Sequence, residues 1–393
     1  QLKGLTTTDI GELATTQVGA LSAVQIGALT TTGFSALDAT QVGALSTTQI
    51  KGLTADQLKN LTTTDIGELA DTQVAALTAD QIKNLSTTNI SALSATQSAA
   101  LTVTQIKGLT NTQIQGLNTT DVGDLADTQI AALQTSQLAA LATTQAQSLS
   151  TTQLGALSAT QVGALTTQAF SALNATQVGA LTTTQVKGLT NAQLTALTTT
   201  DIGELADTQV GALSATQLGA LTATAFSALD ATQTAALTTT QIKGLTASQL
   251  KALSVTDIGE FADTQVGALS ATQLGALTAT GFSALSSTQI AVLTATQIKG
   301  LTADQVKGLS TTDISEFSTT QITALTADQL KNLSATNVSA LADTQVAALS
   351  NTQIQALSTT QLKGLSVTDI DELSATQIGA LSAAQVAALA STQ

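Results

Sequence analysis

Across 393 residues the sequence has no cysteine, histidine, methionine, tryptophan, tyrosine, proline or arginine, and six phenylalanines are its only aromatics. The missing Cys and His exclude a disulfide framework and any thiolate or imidazole metal ligand. No apolar run approaches transmembrane length, and no signal peptide is expected among these residues. Twelve lysines against 26 acidic residues give a net charge of −14. With no basic patch and no aromatic platform, nucleic acid is not an expected partner, and an anionic membrane surface is disfavoured too. The apolar fraction of 43% is too high for a disordered chain, and it is phased.

What is present is one unit of eight residues. Residues 213–220 show it as Leu-Ser-Ala-Thr-Gln-Leu-Gly-Ala, and from Leu5 to Leu389 a Leu stands at every eighth position, replaced only by Phe261 and Phe317. With Leu as position 1, position 2 is usually Ser or Thr, position 5 Gln or Asp, position 6 Ile, Val or Leu, and positions 7 and 8 are small. That order reads as a helix start. Ser214 at the N-cap accepts from the amide three residues on, while Gln217 reaches back to the Ser214 amide, which makes a capping box. Leu213 and Leu218 then occupy the two positions of a hydrophobic staple.

A single continuous helix is excluded by the period. Eight residues at about 100° each rotate successive Leu side chains by about 80°, so no straight apolar stripe survives. The helix therefore breaks in every unit. All glycines except Gly33 and Gly281 lie at positions 7 or 8, where a left-handed C-terminal residue or a tight turn is expected. A β-solenoid is the alternative, encouraged by Thr, Val and Ile, but positions 1 and 6 have opposite parity and a strand would aim them at opposite faces. The expected fold is all-α: a solenoid, or superhelix, of short single-turn helices, one per octapeptide. One octad buries about 3 to 6 kcal/mol of apolar side chain, against about 12 kcal/mol to order eight residues. A lone unit is therefore unstable and must stack on its neighbours.

The octads carry a longer period. Acidic units begin at Asp9, Asp65, Asp121, Asp201, Asp257, Asp313 and Asp369, each seven octads after the last except for one gap of ten. The exception exceeds the rest by three whole octads. Seven octads are expected to complete a whole number of superhelical turns, most simply two of about 3.5 octads each. Three octads after the acidic units from Asp9 to Asp313 comes a slot filled by Phe34, Ile90, Ala146, Phe226, Phe282 or Val338, and in the longer gap after Asp121 the aromatic is Phe170, three octads beyond Ala146. Where Phe occupies it, position 5 shrinks to Gly33, Ala169, Ala225 or Gly281, the trade of bulk that core packing requires. No linker or composition shift divides residues 1–393, which read as one continuous solenoid, and Gln1 and Gln393 both match position 5, as in an excerpt from a longer array.

Chemistry has few places to reside. All lysines occupy position 7 and all six glutamates position 8, and five lysines precede an acidic Asp by six residues, as Lys59 precedes Asp65. Such charges form solvated, weakly paired bands, or bands that dock between coils or between molecules. The pairs Asp9/Glu12, Asp65/Glu68, Asp201/Glu204, Asp257/Glu260, Asp313/Glu316 and Asp369/Glu372, with Asp121/Asp124, supply too few oxygens for Ca²⁺, and Asp at N3 has a sufficient role beside the helix dipole. No residues are assigned as catalytic, cofactor-binding or metal-ligating, and no cofactor is expected. Rows of Thr such as Thr198-Thr199-Thr200 suit capping and solvation, or the ordering of water.

The Leu-[Ser/Thr]-x-x-Gln-[Ile/Val]-x-x octads resemble tandem arrays of large bacterial surface and secreted adhesin-like proteins. The resemblance covers essentially the whole chain. It implies an exported or cell-surface setting, attachment to that surface or to a matrix, and no catalytic residue. The expectation is a non-enzymatic structural protein: the self-associating shaft of an extracellular filament, stalk or matrix fibre. The alternative is an ice-binding or ligand-binding adhesin surface protein.

Overall fold

The computed structural model describes residues 2–390, so Gln1 and Gln393, on which the reading of an excerpt rests, lie outside the described residues. A short 3-10 helix, Leu2–Gly4, is followed by 48 α-helices of four to eight residues, one in each octad, and no strand occurs among the described residues. The fold is an α-solenoid. The β-solenoid alternative is not supported.

Most helices start as the sequence implies; those with Gly, Ala or Asn at position 5 keep the hydroxyl cap but lack the capping box. In Ala215–Ala220 the Ser214 hydroxyl accepts from the Gln217 amide at 3.1 Å, and Gln217 Oε1 accepts from the Ser214 amide at 2.9 Å. Where position 2 is Ala, as at Ala70, the hydroxyl half is missing, yet Gln73 Oε1 still takes the Ala70 amide at 2.8 Å. Both staple residues are in the core, Leu213 at 2% and Leu218 at 0% exposure.

The helix ends differ from the expectation. No residue, glycine included, has a positive φ among the described residues. The chain leaves each helix through the next Leu: Leu221 donates its amide to Leu218 O at 3.2 Å and is itself extended, with φ −60° and ψ 142°. The following N-cap is extended as well, so two consecutive extended residues re-aim the chain between helices without a left-handed residue. Glycine serves close approach instead. A Cβ on Gly52 would stand 2.3 Å from Ala23 O, and one on Gly244 would stand 2.6 Å from Ala215 O. Both glycines sit where the backbone of one coil lies on the coil before it.

Two compact units are formed, Gln1–Ala196 and Leu197–Gln393. Within each, a helix lies against the one three octads away: Ala79–Asn84 against Val103–Gly108 in the first, Ala279–Ser283 against Ala303–Gly308 in the second. The interior of the coils is lined by positions 1 and 6, whose Leu, Ile and Val side chains are almost fully buried except near the two ends; toward the carboxyl end Ile378 and Val386 are 38% and 47% exposed. Position 5 is buried beside them, although it is polar.

Candidate functional site: the glutamine ladder and the charged bands

The buried position-5 glutamine has one amide and uses both ends. Gln57 Oε1 accepts from the Thr54 amide at 2.8 Å and closes its own helix cap. Gln57 Nε2 donates to Ile26 O at 2.9 Å and to Leu29 O at 3.1 Å, on the preceding coil. Every position-5 Gln from Gln41 to Gln193 repeats the bond to the carbonyl 28 residues earlier. Every one from Gln233 to Gln385 does the same, and all these distances lie between 2.6 and 3.1 Å. That interval is three and a half octads, so seven octads make two turns within each unit. The cap was readable from the sequence. The second bond was not, because its partner lies a full turn away.

Octads that depart from Gln show what the ladder demands. Asn89 is a methylene shorter; it keeps the coil-to-coil bond, Nδ2 to Leu61 O at 2.9 Å, and gives up the capping box. Asp65 does the reverse. Its Oδ2 accepts from the Thr62 amide at 2.7 Å, and, having no proton to give the preceding coil, accepts from Ser35 Oγ at 2.8 Å. The same serine meets Asp121 from Ser91, Asp257 from Ser227 and Asp313 from Ser283. A position-7 Ser stands 30 residues before each of these aspartates, a pairing that was present in the sequence but not read from it.

The glutamates of the acidic octads are half-buried at Glu68, Glu204 and Glu260, and burial pushes their carboxyls above the usual range. Negative neighbours add to it: Asp65 and Asp38 act on Glu68, Asp201 on Glu204, and Asp257 and Asp230 on Glu260. Glu204 Oε2 is buried without a hydrogen-bond partner. At Asp9, hydrogen bonds from the Thr6 amide and hydroxyl hold the carboxyl below its ordinary value. No group of three or more acidic side chains among the described residues is arranged to hold a metal ion.

Lysine heads are exposed throughout the described chain. Lys331 pairs with Asp328 at 3.6 Å inside one octad, not across coils. Phe34, Phe170, Phe226 and Phe282 are 1–3% exposed and fill the core; Phe282 also stacks with Phe317, ring centroids 6.5 Å apart. The small residues before them, such as Ala169 and Ala225, are buried too, at 0% and 1% exposure. The Thr of position 2 is occupied with capping, as in Thr54. No described helix is long and apolar enough to cross a membrane.

Residues 130–167 match the ALTTAQ repeat. The six letters of that name fall on position 8 and positions 1 to 5 of the octad, as in Ala140 to Gln145, so the ALTTAQ glutamine is the one that forms the ladder. The match covers one stretch of the first unit, while the same octad pattern continues on both sides of it. No curated protein and no solved structure matches the chain.

Proposed function

We propose that this chain is a structural protein and not an enzyme: the shaft of an extracellular filament, stalk or matrix fibre that self-associates, in a bacterial surface or secreted setting. The observation that carries the reading is the ladder, in which each coil is tied to the one before by the same buried amide. Such a bond can be repeated without limit, and stability in a stacked array grows with each neighbour interface. A composition without imidazole or thiol fits that role. The resemblance to adhesin-like arrays supports the surface setting.

Electron microscopy of the purified chain tests it. Ordered filaments or bundles are expected. Dispersed single molecules that depress the freezing point would favour the ice-binding reading instead, and dispersed molecules without that activity would remove both.

A further inference from the structure

The 28-residue turn allows every charge to be assigned to a side of its coil. In the second unit Lys243 and Lys299 fall at one edge of an arc eight residues wide, Lys251, Lys307 and Lys363 at the other, and Lys331 between them. That is roughly a quarter of the turn. Two aspartates, Asp304 and Asp328, share the arc, so six lysines less two carboxylates leave four positive charges there. The other 13 carboxylates of the unit, from Asp201 to Glu372, fall in an arc six residues wide about half a turn away, with no lysine among them. The first unit is divided in the same sense but more loosely: six lysines with Asp56 and Asp80 fall in an arc twelve residues wide, and nine carboxylates in an arc six residues wide with no lysine among them.

Contacts between coils support the assignment. Gln329, two residues before Lys331, donates to Lys299 O at 3.3 Å, and Gln81, two residues before Lys83, donates to Lys51 O at 3.2 Å, so lysine octads stack on lysine octads. On the opposite side, burial and the aspartate of the same octad raise Glu68 and Glu260, and a carboxylate of the preceding coil, Asp38 or Asp230, adds to it. Gly52, Gly188 and Gly244, where a Cβ would stand 2.3 to 2.6 Å from a carbonyl oxygen of the preceding coil, follow Lys51, Lys187 and Lys243 directly, so backbone lies against backbone next to the lysines.

We propose that copies of this chain dock side by side, the lysine side of a unit in one copy against the carboxylate side of a unit in its neighbour. The occupant is a second copy, because the chain itself presents the complementary charge. The net charge of −14 does not prevent it. At physiological salt the screening length is about 8 Å, shorter than the two helix layers, each about 10 Å across, that separate one side of a coil from the other. Facing charges therefore outweigh the distant ones. The contact joins different patches on the two partners, so it does not close on a pair and extends into a row. This inference deepens the shaft reading and rests on it: lysine and carboxylate sides bundle the shafts.

The test uses the full chain in sedimentation velocity and electron microscopy at 50 mM, 150 mM and 1 M NaCl. Lateral bundles are expected at the two lower concentrations, with separation at the highest. In one variant Lys243, Lys251, Lys299, Lys307, Lys331 and Lys363 are all changed to Gln, a residue already found at position 7 in Gln115, Gln147 and Gln355. It should keep its circular dichroism and melting temperature while needing at least tenfold more protein to bundle. The matching Lys→Arg variant should bundle like the parent. Bundles indifferent to salt or to the Gln changes would overturn side-by-side docking and leave the shaft reading standing, as would single unbundled filaments at every salt concentration. Dispersed molecules at every salt concentration would overturn both.

Discussion

A glutamine side chain carries an acceptor and a donor about 2 Å apart, and this fold depends on having both. Gln249, 1% exposed, accepts from the Thr246 amide at 2.8 Å and donates to Leu218 O at 2.8 Å and Leu221 O at 3.0 Å. In Gln249→Glu the cap survives, but a second carboxylate oxygen faces two carbonyls that have lost their donor. We expect a loss of about 3 kcal/mol at pH 7, two hydrogen bonds and an unmatched buried charge. The folded-state pKa of the new Glu lies above its unfolded value, so the penalty is present at neutral pH and shrinks as pH falls through the raised pKa, when the protonated acid can donate. Urea unfolding at pH 7 and pH 4 measures this; equal losses at both would show that the donor is immaterial. The same side chain marks the reach of sequence reading. Its cap partner is three residues away and leaves a local pattern. Its coil partner leaves only the recurrence of Gln, which the cap already explains. The glycines misled for a related reason: positions 7 and 8 suggested a left-handed helix end, while the real constraint is the backbone of the adjacent coil, as between Gly27 and Gly52 and between Gly52 and Ala23.

At the scale of one octad, cap, exit and coil contact share eight residues and are phased together. The acidic octad Val255–Glu260 shows a tension within that phasing. Glu260 is held near Asp257 and Asp230 and partly out of water, so its pKa is raised on folding. A carboxyl raised on folding opposes stability when ionised, and the opposition disappears as pH falls below its unfolded value, about 4.3. Glu260→Gln should therefore melt higher than the parent at pH 7 and alike below pH 4; a difference independent of pH would contradict the assigned cause. Phasing itself is tested by deletion. Removing residues 213–220 lets Leu205 and Leu221 keep their register, and each later Gln still meets a position-1 carbonyl. Removing Ser214 alone puts Gln217 and Leu218 out of step with Leu213, so one cap fails and the adjoining interface with it. The eight-residue deletion should cost no more than a few degrees in melting temperature, and the one-residue deletion distinctly more. If both melt alike, the octad is not the structural unit.

Over the whole molecule, two turns per seven octads keep specialised octads above their partners within each unit. Ser227 finds Asp257 and Ser283 finds Asp313 because the seven-octad period is twice the turn. Deleting seven octads, 213–268, should thus preserve helix content per residue and salt-dependent bundling. Deleting three, 213–236, keeps whole octads but leaves everything after the cut half an octad short of a full turn. The charged sides then fall out of line, and bundling should weaken while helicity holds. Equal bundling in the two would reduce the seven-octad period to a record of duplication. The ladder has one further property: it is directional. Its glutamine donors point to carbonyls earlier in the chain, so an octad leaving the ribosome or an export channel amino end first meets acceptors that are already in place. Contacts reaching back only about one turn make the search short at any array length. A chain of this design can be laid down coil by coil, its finished end ordered while the remainder is still unmade.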